Sequence, residues 1–168
     1  MRGMKKLLGA GLALALLATC ALAAAAPADK LDIQTVEVLG VPLVFSSYTT
    51  YDESGYATNY VKLRDVAWGL QFTSRRFDVT YDGSTVITTG AEYQVVGSEV
   101  TYPTAVGSVQ PYTAVLTVDG VGTWVEALLV TEPGAQDGSF YYKLRDLGDA
   151  IGFGVGWSPE RGVYLETE

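Results

Sequence analysis

A six-residue block that occurs twice constrains the fold of this chain more than any other feature. Tyr60-Val61-Lys62-Leu63-Arg64-Asp65 and Tyr141-Tyr142-Lys143-Leu144-Arg145-Asp146 are identical at five of six positions. After each lysine, apolar residues follow at i, i+3, i+4 and i+7, the spacing of one face of a short amphipathic helix. They are Leu63, Val66, Ala67 and Leu70 in the first copy, and Leu144, Leu147, Gly148 and Ile151 in the second. The chain is therefore predicted to contain a duplicated unit.

Strand signals surround both copies in the same order. Asn59-Tyr60-Val61 and Phe140-Tyr141-Tyr142 are extended in character, and turn residues such as Asp82-Gly83 and Asp119-Gly120 separate runs of alternating polarity. We expect an α+β protein of two β-β-α-β-β repeats packed together, with small antiparallel sheets that each carry one short helix. The predicted repeats are 33–90 and 112–168, and 91–111 connects them with short strand-like pieces at 93–96 and 99–102.

The repeated block has chemistry of its own at the strand-to-helix junction. Asp65 and Asp146 fall in a first helical turn, where the helix dipole favours a carboxylate. Arg64 and Arg145 lie at the same end, where a cation is disfavoured, so a partner elsewhere is expected. The structural interpretation is an ion pair or backbone carbonyls that lock helix to sheet. The alternatives are a ligand-binding arginine pair and a catalytic role. Lys62, Leu63, Lys143 and Leu144 complete the predicted structural motif.

Residues 1–28 have the pattern of a secretory signal peptide. Arg2, Lys5 and Lys6 precede an uncharged run, and small residues then permit cleavage after Ala25 or Ala28. Two alternatives stay open. The run is long enough to span a bilayer if uncleaved, and the residues before Cys20 resemble a lipoprotein box.

Composition limits the partners of the exported domain. Loss of the leader removes the only cysteine and leaves eight basic residues against 19 acidic ones, a net charge of −11. So acidic a domain is a poor candidate for nucleic acid or anionic membranes. Contact with a membrane is expected only through an uncleaved or lipidated N-terminal segment.

The residue types also restrict catalysis. The chain has no histidine, which excludes Ser-His-Asp and Cys-His nucleophile systems and His/Cys metal sites. Paired carboxylates remain possible, although nothing marks two of them. No catalytic, cofactor-binding or metal-binding residue is predicted.

Aromatic residues are the remaining candidates for binding. Eleven tyrosines and three tryptophans are many for this length, and both side chains pair an apolar face with a polar tip. Many are expected to fill the alternating faces of the sheets. A glycan- or protein-binding face would draw on the following tyrosines: Tyr48, Tyr51, Tyr56, Tyr102 and Tyr112.

The motifs resemble a known family. Asn59 to Ala67 with Phe77 to Asp82, and Phe140 to Trp157 in the second copy, are similar to the copper amine oxidase N-terminal-like domain, or stalk domain, of exported Gram-positive proteins. The resemblance runs from about Val36 to Leu165. It implies an accessory module without activity. The copper enzymes of the family hold the metal with three histidines and use a tyrosine-derived quinone, and this chain has no histidine.

These observations together predict a non-catalytic, exported structural or interaction module at or outside the bacterial cell envelope. The alternative is a carbohydrate- or peptidoglycan-binding module. The expected partner is a cell-wall polymer or another exported protein.

Overall fold

The computed structural model describes residues 28–168, so the predicted leader, including Cys20, lies outside the described residues except for Ala28. The elements of the first repeat are β1 (Lys30–Val38), β2 (Val41–Tyr51), β3 (Ala57–Lys62), α1 (Leu63–Leu70), β4 (Phe77–Tyr81) and β5 (Thr85–Thr89). Those of the second are β6 (Ser108–Val118), β7 (Val121–Thr131), β8 (Ser139–Lys143), α2 (Leu144–Ile151), β9 (Gly154–Ser158) and β10 (Gly162–Glu166).

Both helices begin directly after the duplicated lysine, as predicted. Each buries the apolar face that the i, i+3, i+4, i+7 spacing defines. α2 ends at Ile151 and is capped by Gly152, whose left-handed φ of 96° suits glycine at a helix end. The duplicated block is therefore a joint between strand and helix in both repeats.

Two-residue turns set the register of the long hairpins. β1 and β2 are joined by Leu39 and Gly40, with φ of 51° and 79°, and β6 and β7 by Asp119 and Gly120, with φ of 49° and 83°. Two consecutive positive φ angles are the signature of the turn that matches strand twist in a hairpin.

The prediction of two small antiparallel sheets is wrong. All ten strands form one mixed sheet in the order β4-β5-β6-β7-β8-β3-β2-β1-β10-β9. Each repeat also contains three strands before its helix rather than two, because the stretch leading into the helix is a full strand. β3 and β8 pair with each other at the centre, so no boundary separates two sheets.

The hairpin that follows each helix joins the other repeat. β5 pairs in parallel with β6, and β10 pairs in parallel with β1. If each strand is replaced by its counterpart in the other repeat, the strand order is the same when read from the opposite edge of the sheet. The sheet therefore has a pseudo-two-fold axis. That axis passes through the central pair Val61 and Tyr142.

The two faces of the sheet bury different residues. Val61 and Tyr142 point to the face that carries both helices, and most of the core lies there. Tyr60 and Tyr141, one position earlier on each strand, point to the opposite face, where they pack with Tyr48, Leu128 and Val130. This alternation is the period of two expected of strands.

The segment between β5 and β6 contains no strand, so the strand-like pieces predicted at 93–96 and 99–102 are wrong. It is a crossover that returns the chain for the parallel pairing of β5 with β6, and its polar groups bond mainly to side chains. β6 already begins at Ser108, inside the predicted 91–111 connection. In the part of the chain that the structure describes, neither helix is long and apolar enough to cross a bilayer.

Candidate binding grooves and the repeated joint

A groove of about 440 Å³ lies on the helix-bearing face, and we call it the first groove. The joint and β4 of the first repeat form one side. Strands β6, β7 and β8 of the second repeat form the other. The volume falls within the usual range of small-molecule sites. The groove exists only because the β4–β5 hairpin lies beside the second repeat.

Three aromatic rings line the first groove. The rings of Tyr81 and Phe140 are stacked, with centroids 6.5 Å apart and planes 24° apart. Tyr112 meets Phe140 edge-on at 5.6 Å. Tyr81 is 65 % exposed and Tyr112 is 47 % exposed. Such accessible rings offer apolar faces to a ligand while their hydroxyls remain available for hydrogen bonds.

Polar groups surround these rings. Arg64 comes from the joint, and Gln136 and Asp137 come from the exposed loop before β8. Lys62 of the joint also lines the groove, but its side chain is buried. The Arg64 guanidinium donates to the hydroxyl of Tyr93 at 3.4 Å. A groove with aromatic walls and a few amide, carboxylate and guanidinium groups can bind a ligand that has both apolar faces and hydroxyls.

A second groove, of about 350 Å³, occupies the pseudo-symmetric position. It is lined by the second joint, β9, and strands β1 and β3 of the first repeat, and its exposed aromatic residues are Tyr56 and Trp157. Arg145 lies there and donates to the carbonyl of Val155 at 2.9 Å. That backbone carbonyl is one of the two kinds of partner anticipated for the arginines, and neither Arg64 nor Arg145 forms a salt bridge among residues 28–168.

The two arginines therefore do not share one hollow. Each lies in its own groove, Arg64 in the first and Arg145 in the second. A paired-arginine ligand site, one of the alternatives that the sequence left open, would need the two guanidinium groups to converge.

The first joint is closed by the segment between β5 and β6. The Asp65 carboxylate is fully buried and accepts hydrogen bonds from the backbone N–H groups of Ser46, at 2.7 Å, and Val100, at 3.0 Å. Lys62, also buried, donates to the Ser98 carbonyl at 2.5 Å and to the Thr101 hydroxyl at 3.2 Å. Lys62 and Asp65 thus hold the connecting segment against the sheet.

Burial determines the protonation behaviour of Asp65. Desolvation raises the pKa of its carboxyl, although the two backbone donors and the nearby Lys62 act in the opposite direction. The group is a structural carboxylate with both oxygens occupied.

The second joint is open. Lys143 forms a salt bridge with Glu126, whose hydrogen bond raises the pKa of the Lys143 ammonium, and its ammonium lies 5.8 Å from the centroid of the Tyr60 ring. Glu126 occupies the β7 position that corresponds to Ser46 on β2. Asp146 is only partly buried. Identical joint residues therefore have different surroundings in the two repeats.

The five candidate tyrosines do not form one face. Tyr48 is 8 % exposed and belongs to the packed cluster beneath the sheet. Tyr51 is partly buried at the end of β2, and Tyr102 donates to the Val44 carbonyl from the connecting segment. Only Tyr56 and Tyr112 line grooves, and these are different grooves.

Sequence reasoning missed Tyr81, Phe140 and Trp157 as groove residues. One signal could have found two of them. In each repeat the strand after the helix carries an aromatic residue at the same position, as the alignment of Phe77-Asp78-Val79-Thr80-Tyr81 with Phe153-Gly154-Val155-Gly156-Trp157 makes visible. A large aromatic residue kept exposed in both copies, with 65 % and 64 % exposure, is more than core packing requires.

No protein-family model, curated protein or solved structure matches this chain. Within residues 28–168, no group of three or more His, Cys, Asp or Glu side chains could hold a metal ion.

Proposed function

We propose that the protein is a non-catalytic, extracytoplasmic interaction module of the bacterial cell envelope, and that it binds carbohydrate in the first groove. The observation that carries the proposal is the exposed ring of Tyr81 stacked with the partly buried ring of Phe140, beside the exposed Tyr112, in a groove of about 440 Å³. The predicted leader and the resemblance to stalk domains of exported proteins support the location and the accessory role.

The chemistry of the groove favours a neutral sugar chain. Sugar rings present C–H faces that pack on aromatic rings, and hydroxyls that pair with groups such as Gln136, Asp137 and Arg64. The net charge of −11 after loss of the leader opposes binding of the strongly anionic polymers of a cell wall. We therefore propose the glycan strands of peptidoglycan as the ligand class.

The second candidate is a protein partner in the envelope. Exposed Tyr and Trp side chains are also enriched at protein interfaces, and Phe72, just beyond α1, is 88 % exposed. A protein interface would use a broad apolar area that includes Phe72. A glycan site would depend on the groove alone.

Retention on purified sacculi tests the proposal. The chain without its leader should sediment with peptidoglycan stripped of anionic polymers, and should bind soluble N-acetylglucosamine oligomers in calorimetry. Tyr81→Ala removes one stacking face worth about 1 kcal/mol or more, and so should weaken oligomer binding roughly five- to tenfold.

The matched control is Phe72→Ala, which removes an exposed aromatic ring outside both grooves. It should bind oligomers like the unmodified chain. Absence of retention by the unmodified chain, or equal binding by the Tyr81→Ala variant, would overturn the glycan proposal. Loss of a co-purifying envelope protein on Phe72→Ala would support the protein candidate instead.

A further inference from the structure

We propose that the second groove is a second glycan site, so that one molecule holds two segments of a cell-wall glycan at once. This inference rests on the proposed function of the first groove. It adds a separate site built from different residues.

Topology makes the two grooves equivalent. The pseudo-two-fold axis through the pair Val61 and Tyr142 relates the joint, the hairpin after the helix and the strand before the helix in one repeat to those in the other. Each groove is formed where the hairpin of one repeat lies beside the first strand of the other. The second groove is therefore the counterpart of the first, built by the same exchange of hairpins.

The side chains keep the main features of a glycan site. Trp157 on β9 occupies the place of Tyr81 on β4, and it is 64 % exposed. Arg145 occupies the place of Arg64. Tyr56, in the loop before β3, is exposed where the first groove has Asp137. A flat aromatic face and a guanidinium group are thus present in both grooves.

One difference predicts unequal affinities. The position of Phe140 in the first groove is Asn59 in the second, where the Asn59 amide donates to Gln34 at 3.3 Å and accepts from Thr49 at 2.7 Å. The second groove therefore lacks the stacked ring pair. We expect it to bind a short oligomer more weakly than the first groove.

Both grooves open on the helix-bearing face, because Tyr81, Phe140, Val61 and Trp157 all point to that face by strand alternation. A polymer that occupies one groove raises the effective concentration of its own neighbouring segments at the other. Two weak sites would then give firm retention on an extended glycan and weak binding of short pieces.

Calorimetry with an N-acetylglucosamine tetramer counts the sites. The unmodified chain should bind two tetramers. Tyr81→Ala should weaken the first site roughly five- to tenfold and leave the second unchanged, whereas Trp157→Ala should weaken the second site and leave the first unchanged. Trp157→Phe, which keeps an aromatic face, should restore the second site. On sacculi, Trp157→Ala should lower apparent affinity at least tenfold through loss of avidity, although the first site still binds the tetramer.

The outcomes separate the two proposals. One site in the unmodified chain, weakened by Tyr81→Ala and unaffected by Trp157→Ala, overturns the second site and leaves the first groove in place. Binding of neither tetramer nor sacculi overturns both. Phe72→Ala again serves as the control for an unrelated exposed ring, and far-ultraviolet circular dichroism confirms that each variant remains folded.

Discussion

Asp65 and Asp146 hold the same position in the two joints, yet only Asp65 is buried. Its two oxygens accept from Ser46 on β2 and from Val100 of the connecting segment. The pairing of β2 with β3 ends at Ser47 and Val61, so the N–H of Ser46, the next residue along β2, has no partner on β3. The carboxylate therefore completes the sheet where β3 leaves it, and attaches the segment that covers the first joint.

This difference predicts different costs for the same substitution. Asp65→Ala leaves two backbone N–H groups without acceptors, and each unpaired buried donor costs about 1–3 kcal/mol. We expect the free energy of unfolding to fall by roughly 2–4 kcal/mol. Asp146→Ala, the matched control, loses mainly the helix-dipole interaction, about 0.3–1 kcal/mol.

Urea unfolding of both variants measures the two values. Similar losses at the two positions would contradict the roles assigned here, since the two aspartates would then be equivalent despite their surroundings.

The joint itself could be predicted from sequence, but the burial of Asp65 could not. The helical spacing after Lys62 is local, and so is the place of Asp65 in the first turn. The groups that bond its carboxylate are the N–H of Ser46, 19 positions earlier, and the N–H of Val100, 35 positions later. Identical local sequences therefore gave identical expectations for two sites that differ.

At the scale of the element, a single glutamate bonds three groups within the connecting segment. Glu99 accepts from the backbone N–H groups of Val96, at 2.9 Å, and Gly97, at 2.7 Å, and from the Tyr93 hydroxyl. Burial raises the pKa of Glu99, but these donors outweigh that effect and lower it to about 2, against an ordinary value of 4.5. Burial and the bond to Glu99 in turn raise the pKa of Tyr93.

A lowered pKa links this segment to the pH dependence of stability. Because the folded state holds the Glu99 proton less tightly than the unfolded state, the carboxylate stabilises the fold above about pH 4.5, and the contribution is lost as the pH falls towards 2. Glu99→Gln removes this titration. The stability difference between the unmodified chain and this variant should be largest above pH 5 and should shrink as the pH falls towards 2.

Urea unfolding at several pH values from 2 to 7 measures that difference. The raised pKa of Asp65 acts in the opposite direction and is present in both proteins. The Glu99 charge is the smallest of its causes, so most of this effect cancels in the comparison. A difference independent of pH would show that Glu99 does not titrate as described.

Elements with local signals were predicted well. Both helices, the hairpin formed by β4 and β5, and the turn at Asp119-Gly120 follow from short-range spacing and turn chemistry. The prediction for the connecting segment was wrong because its residues alternate in polarity as those of a strand do. Its polar groups instead bond to Asp65, Lys62 and Glu99.

At the scale of the molecule, the exchange of hairpins between the two repeats forms both the single sheet and the two grooves. β4 and β5 complete the edge beside β6, and β9 and β10 complete the edge beside β1. Each groove consequently takes walls from both repeats. Neither repeat alone contains a complete groove or a complete edge.

Sequence periodicity could not reveal this exchange. A period of two identifies strands and their inward faces, but it does not state which strand pairs with which when the partners are far apart in the chain. An isolated repeat and an exchanged pair have the same local pattern. The predicted fold class was therefore wrong about the number and pairing of the sheets, although most strands lay where they were predicted.

The most direct test is the folded state of an isolated first repeat, residues 28–90, measured by amide NMR together with sedimentation equilibrium. Without β6 and β10, its hairpin and its first strand lack their partners, so no folded monomer should exist. Any folded form should be a dimer that imitates the whole chain, or a one-to-one complex with residues 91–168. A stable, folded monomer of residues 28–90 would contradict the exchange of hairpins and with it the origin of both grooves.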